Sequence, residues 1–290
     1  MAIPAPVVSL GPWRAVADGV HVCVAEPESV TIGLVVGTTG CLVVDTGSSP
    51  DQGRAIRVAL EQVTAMPLVG VAVTHWHHDH FFGLAGFDGV PSYGHETLVD
   101  RLTSEPVTRA ASELGVDPAA LVGPTRALVV AVGIDLGGIR VEVAHLGRGH
   151  TEGDLVVSVA AAKRPPHVVF AGDLIETAGP PWFGPDAYPL EWAATLDGVI
   201  GLLGPQTVLV PGHGDPVTRD EVFAQRGAIG AVAGELHRLV EAGVPVEQAA
   251  QAGDWPFPVE QLAHTVEPAY AALRAAGVRQ APPPLPIVEL

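Results

Sequence analysis

The sequence predicts a layered α/β fold with mixed sheets, and three observations carry that expectation. β-Branched apolar runs alternate with helical apolar spacing as far as about residue 210. Helical spacing alone follows, and no internal repeat interrupts the plan. Of the 290 residues, 48% are hydrophobic and 16% charged, enough apolar material for the full core of one large domain or of one domain with an appendage.

The chain opens on a meander. Residues 20–24, 30–36 and 41–45 read as consecutive strands joined by short turns, ending at Asp45-Thr46-Gly47. Over residues 50–63 the apolar positions Ala55, Ile56, Ala59, Leu60 and Val63 fall at helical spacing. Residues 67–74 form a β-branched run of buried-strand character, and 90–94 a further short strand. Weakly apolar helical segments occupy about 95–121. Strands are expected at 127–132 and 139–145, around the turn Leu136-Gly137-Gly138. A glycine-rich loop (146–154), a strand (155–160), a basic turn (163–166) and a strand (167–170) lead into Ala171-Gly172-Asp173. The Pro/Gly/aromatic loop 178–189 is long enough to face a substrate rather than merely connect. Residues 190–203 are helical, 207–210 a strand, and 220–242 a long amphipathic helix after Pro211-Gly212-His213-Gly214. Helical segments at 246–252 and 259–276, the second with an expected break near Pro268, precede an extended proline-rich tail at 282–286. The expected division is a catalytic unit over 1–243 and a C-terminal helical appendage with its tail over 244–290, packed on the same domain.

Charge restricts the partners. The formal net charge is −17, Lys163 is the one lysine, and the fourteen arginines are scattered. A surface tracking phosphates needs clustered Lys and Arg, so neither nucleic acid nor an anionic membrane is an expected partner. Residues 1–10 lack a basic start and carry two prolines, which makes a poor signal peptide. No apolar run approaches the roughly twenty residues of a spanning helix. Cys23 and Cys41 lie in strand-like apolar runs and read as buried free thiols rather than a disulfide framework, so the expected location is the cytoplasm.

The chemistry concentrates at Thr74-His75-Trp76-His77-His78-Asp79-His80, where four imidazoles and a carboxylate fall within six residues. The cluster follows a buried strand and precedes a short helix, so a rigid sheet can aim it. His75 and His77, two apart, can share one side of an extended loop, while Asp79 and His80 come where the chain turns into the helix. Neutral imidazole with carboxylate suits zinc, and also manganese or iron. His150, Asp173 and His213 likewise follow strand-like runs or sit in glycine-rich loops beside them, which would place them at the same rim. A surface histidine patch and ordinary loop histidines are the competing readings. The density of potential ligands on strand-end loops favours a metal centre.

Five segments together resemble the metallo-β-lactamase fold superfamily. They are Asp45 in Val-Val-Asp-Thr-Gly, His75-x-His77-x-Asp79-His80, Gly-His150-Thr-x-Gly-Asp, Gly-Asp173 and Pro-Gly-His213-Gly, in the family's order over roughly residues 20–215. The resemblance implies a four-layer αββα sandwich with two mixed β-sheets, a C-terminal helical extension and two divalent metal ions between the sheet edges. By it, His75, His77 and His150 would hold one metal, Asp79, His80 and His213 the other, and Asp173 would bridge them. Asp45 would orient the histidine loop from behind and His78 would point away, while His95 and His145 read as residues that support the structure or the ligands rather than bind metal. A hydroxide shared by two cations is available near neutral pH and can attack a carbonyl, with Asp79 and Asp173 holding it and relaying its proton.

Retaining Asp173 moves the resemblance toward the glyoxalase II-like and lactonase-like branches, since many β-lactamases of this fold lack that bridge. Residues 215–290 hold five arginines and no lysine, without the basic cluster by which glyoxalase II reads glutathione. Trp182, Phe183, Tyr188 and Trp192 are candidates for an apolar substrate wall, with packing of the loop as the competing role; Tyr188 and Tyr93 are candidates to assist a carbonyl. The expectation is a dinuclear hydrolase, with zinc the favoured metal, of an ester, lactone, thioester or lactam with an apolar portion. An iron-dependent oxidoreductase like the persulfide dioxygenases is the alternative, and a metal-stabilised binding protein a third.

Overall fold

The computed structural model describes residues 9–161 and 167–279. The basic turn at 163–166 and the proline-rich tail lie outside them. The first half of the chain builds β1 (Ser9–Leu10), β2 (Arg14–Ala17), β3 (Val20–Glu26), β4 (Val30–Val36), β5 (Cys41–Val44), α1 (Pro50–Ala59), β6 (Leu68–Ala72), α2 (His78–Phe81), β7 (Ser92–His95), α3 (Glu96–Arg101), α4 (Glu105–Glu113) and β8 (Arg126–Leu128). The second half builds β9 (Ala131–Asp135), β10 (Ile139–His145), β11 (Leu155–Ala161), β12 (Val168–Glu176), α5 (Pro189–Leu202), β13 (Val208–His213), α6 (Arg219–Glu241), α7 (Val246–Ala252) and α8 (Val266–Ala275).

Hydrogen bonding runs β8-β7-β6-β5-β4 and then β13-β12-β11-β10-β9, with β3 on β4 and both β1 and β2 on β3. The two halves meet at a single bridge, His213 to Val30, so the ladder folds there into two facing sheets. Both are mixed: β5 to β8 and β12 with β13 pair in parallel, while the meander β3-β4-β5 and the run β9 to β12 pair antiparallel.

Side-chain alternation explains the four layers. Along β5, Leu42 and Val44 join the core between the sheets, whereas Cys41 and Val43 join the core under α1, α3 and α4. Along β12, Val168 and Phe170 face the inter-sheet core, and Val169 and Ala171 face the core under α5 and α6. Strands covered on both faces read as continuous apolar runs rather than alternating ones, which is how β5, β6 and β12 look in sequence. Helix–sheet–sheet–helix is therefore the architecture. The long α6 starts at a capping box between Thr218 and Glu221 and buries Ile229, Val232 and Leu236. Helices α7 and α8 add Ala249, Tyr270 and Leu273 to that same outer core. No helix among the described residues is long and apolar enough to cross a membrane.

Three elements differ from the sequence expectation. The run 127–132 is two strands, β8 and β9, on opposite edges, because the chain crosses between sheets at the exposed Val129 and Val130. β12 continues through Asp173 to Glu176 rather than ending at Phe170. The break expected near Pro268 is present: the segment divides between a 3-10 turn at Val259–Leu262 and α8, which begins at Val266 and puts the proline in its first turn, where its missing N–H has no intrahelical partner to lose. The short strands β1 and β2 lack a period long enough to detect.

Candidate metal centre

The site gathers at the rim where β5, β6, β12 and β13 end. Asp45 follows β5 with φ 63°, a left-handed conformation that aspartate tolerates better than most residues. The turn aims its buried carboxylate back at the histidine loop. Asp45 Oδ1 accepts the Thr74 N–H at 2.8 Å, Oδ2 lies 2.9 Å from Thr74 Oγ1, and Oδ2 accepts from His80 Nδ1 at 2.9 Å. A proton on His80 Nδ1 leaves the Nε2 lone pair facing the centre.

Two glycines let the remaining ligands approach. Gly172, at φ 52°, bulges β12 against Thr74 and turns Asp173 inward; a Cβ there would lie 2.8 Å from Thr74 Cβ. A Cβ on Gly212 would collide with Asp173 Oδ1. His213 follows directly at the end of β13.

The seven residues singled out in the sequence converge. His75, His77, His150 and Asp173 form one group and Asp79, His80 and His213 another, and within each the donor atoms all lie within 4.8 Å of one another. Asp173 stands between them: Oδ2 is 3.4 Å from His150 Nε2, 3.7 Å from His75 Nε2 and 3.5 Å from His213 Nε2, while Oδ1 is 3.2 Å from His80 Nε2. His213 Nε2 also lies 3.1 Å from Asp79 Oδ2. His75 Nε2, His80 Nε2 and Asp173 Oδ1 are buried and, although the last two lie 3.2 Å apart, none has a partner in hydrogen-bond geometry. Stranding polar atoms in this way costs about 1–3 kcal/mol each. Convergent lone pairs of neutral imidazole and carboxylate are what a divalent cation satisfies, so the residues present fit such an ion.

Electrostatics divides the two groups. Burial lowers the His75 imidazole well below its ordinary range and the His150 imidazole to about 4, so both are neutral, as ligation requires. At His80 and His213 burial opposes charge, but the surrounding carboxylates outweigh it. Asp173, Asp79 and Asp45 raise His80, and hydrogen bonds to Asp173 and Asp79 raise His213 to about 11. Burial likewise opposes ionisation of Asp79 and Asp173, yet His80 and its neighbours hold both carboxyls below the usual range. A cation entering the second group must displace protons.

The residues around the centre sort differently from their sequence appearance. His78 turns outward, with Nε2 3.8 Å from Glu28 Oε1 and its ring edge-on to Phe82. His95 caps α3 and lies beside His145, ring centroids 4.5 Å apart. Trp182 is 43% exposed, edge-on to His77 at 5.6 Å, and lines the cavities on both sides of the centre. Phe183 does not line them. It is fully buried between Trp192 and Phe257, with centroids 5.0 and 5.8 Å away, and is corrected from substrate wall to anchor of the loop. Trp192 is buried too, its indole N–H donating to the Leu174 carbonyl at 3.1 Å. Tyr188 lines one cavity, but its hydroxyl donates to Glu152 at 3.4 Å and its ring lies under Arg148. Sequence reasoning missed Asp186, 3.0 Å from His77 Nε2, and Glu176, which lines the cavity beside Asp173. Neither sits at a recognisable spacing from a ligand.

Comparison with known proteins fits this geometry. The family model described as the metallo-beta-lactamase superfamily matches residues 25–213, which span every ligand candidate. The chain belongs to the metallo-beta-lactamase superfamily. Within it, the chain is 27% identical over 187 residues to a Bacillus cereus protein named Metallo-beta-lactamase type 2, the match covering 63% of this chain and 66% of that protein. The solved structure of a metallo-beta-lactamase from Pontibacter korlensis superposes with TM-score 0.58 at 18% identity, covering 77% of this chain and 99% of that one. One from Hirschia baltica gives 0.56 at 19%, covering 77% and 97%. The metallo-beta-lactamase match ends at His213, so α6, α7 and α8 lie beyond it.

Proposed function

We propose that this protein is a dinuclear metal hydrolase that cleaves an ester, lactone, thioester or lactam carbonyl in a small molecule with an apolar portion. The observation carrying this reading is the pair of donor groups with Asp173 between them. Zinc is the ion we favour, since neutral imidazoles and carboxylates at tight spacing suit it, with manganese or iron as substitutes. Two such cations would bring the pKa of a captured water toward neutrality and polarise a carbonyl oxygen.

The chain's own residues would do the rest. Asp79 and Asp173 orient the water and accept its proton, and either can return it to the leaving group. Trp182 stands over His77 as a wall. To one side lies a cavity of about 600 Å³ lined by Trp76, Phe82, Val107 and Arg101, which suits an apolar acyl or ring portion. To the other lies one of about 580 Å³ lined by Glu28, Glu176 and His213. Glu28 there, with the net charge of −17, disfavours nucleic acid and other polyanions. Buried free thiols at Cys23 and Cys41 fit a reducing compartment, and we place the protein in the cytoplasm.

A single iron held as in the persulfide dioxygenases would leave Asp79, His80 and His213 without a role, so hydrolysis is preferred. The test is a panel of lactone, ester, thioester and cephalosporin substrates on metal-loaded protein. Turnover lost on chelation and restored by zinc or manganese supports the proposal. Full loading with no turnover of any of them, or oxygen consumption by an iron form, contradicts it.

A further inference from the structure

We infer that Asp186 is a positioning residue through which the 178–189 loop governs the metal group of His75, His77 and His150. The inference rests on the metal-centre reading above. It begins with the His77 ring. Nδ1 faces the centre, 2.8 Å from His150 Nε2, and Nε2 faces outward, 3.0 Å from Asp186 Oδ2. A neutral imidazole carries one N–H and one lone pair. For Nδ1 to offer its lone pair, the proton must sit on Nε2, and Asp186 is the group that accepts it there.

The origin of Asp186 sets His77 apart. The outer nitrogen of His80 is held by Asp45, at the end of a central strand, and that of His75 lies 3.1 Å from Thr74 Oγ1 on its own loop. His77 alone among these three is held by the loop that walls the substrate cavities. That loop is pinned by other contacts. Phe183 is buried between Trp192 and Phe257, and Trp182 packs edge-on to His77. Asp186 is itself only 13% exposed and lines the larger cavity beside Trp182 and Tyr188.

Two consequences follow. The group containing His77 depends on the loop for ligand orientation, whereas His80 in the other group is oriented by Asp45 after β5. Coupling is reciprocal, so metal at the His77 group should also order the loop. A substrate that displaces the loop would therefore loosen one metal group and spare the other.

The test is metal affinity by competition with a chromogenic chelator, on full-length Asp186→Ala and Asp186→Asn, with circular dichroism confirming the fold. Asp186→Ala is expected to weaken one of the two metals about 10–100-fold and leave the other unchanged. Asp186→Asn is expected to stay near wild type, because its carbonyl can still accept the His77 N–H. Wild-type affinity for both metals in Asp186→Ala would overturn the inference, as would equal weakening of both metals or an Asn variant as weak as Ala. Should Asp186→Ala fail to fold, Asp186→Leu provides the same loss of acceptor under the same criteria. Because the readout is binding, protein that holds two metals but hydrolyses nothing would defeat the proposed function and leave this inference standing.

Discussion

Replacing Asp45 by asparagine tests how the histidine loop is aimed. The side chain keeps its shape, and asparagine also tolerates the left-handed backbone at φ 63°. What changes is one acceptor. Asp45 serves donors on two sides, the Thr74 N–H at 2.8 Å on Oδ1 and His80 Nδ1 with the Thr74 hydroxyl at 2.9 Å on Oδ2, and is 2% exposed. An amide can offer its oxygen to only one of them and turns an NH2 toward the other. If it faces His80, Nδ1 must become the acceptor, and the proton moves to the Nε2 that should ligate. Losing a buried hydrogen bond to a charged acceptor costs about 1.5–3 kcal/mol of stability. Misorienting a ligand histidine costs about 10–100-fold in metal affinity, or about 1.4–2.7 kcal/mol. Urea unfolding of the chelated protein reads the first quantity, and chelator competition the second. Wild-type metal affinity in a folded Asp45→Asn protein would refute the reasoning, because the tautomer would then be fixed by something else. Asparagine is thus expected to be damaging here and harmless at Asp186, where a single donor needs serving.

Three further outcomes are expected. In metal-free protein His213 is raised from 6.5 to about 11, so its stabilisation is full below about pH 6.5 and is lost as pH rises through 11. Thermal unfolding of chelated wild type against His213→Asn should show a gap that closes toward pH 11, and zinc added at pH 7 to weakly buffered apo protein should release protons; a gap independent of pH counts against it. Trp182→Ala should raise KM for an apolar lactone or ester on fully metal-loaded protein, and wild-type kinetics on every accepted substrate would make Trp182 a packing residue. Burial pushes the Cys23 thiol up to about 12 and the Cys41 thiol to about 11, so both should resist alkylation at pH 8 until the protein unfolds; rapid labelling of native protein would show the strands open.

Much of this was legible because regular structure and ligand spacing leave periodic signals. The β-branched run into Thr74 announces a buried strand, and four histidines with Asp79 directly after it announce what the strand carries. His150, Asp173 and His213 were readable only because each sits against glycines after an apolar run. The loop from 178 to 189 was the limit. Trp182 and Phe183 are adjacent and chemically alike, yet one is 43% exposed beside His77 and the other fully buried, and no periodicity separates neighbours in a loop. Asp186 is 109 residues from His77, a pairing that only the tertiary fold creates.

Metal stoichiometry tests the central claim most directly. Protein purified without chelators and analysed by mass spectrometry of its metals is expected to approach two divalent ions per chain, with Asp173→Ala lowering that number. A firm value of one in the wild type, unchanged after incubation with zinc or manganese, would contradict the two-group reading of His75, His77, His150, Asp79, His80, Asp173 and His213.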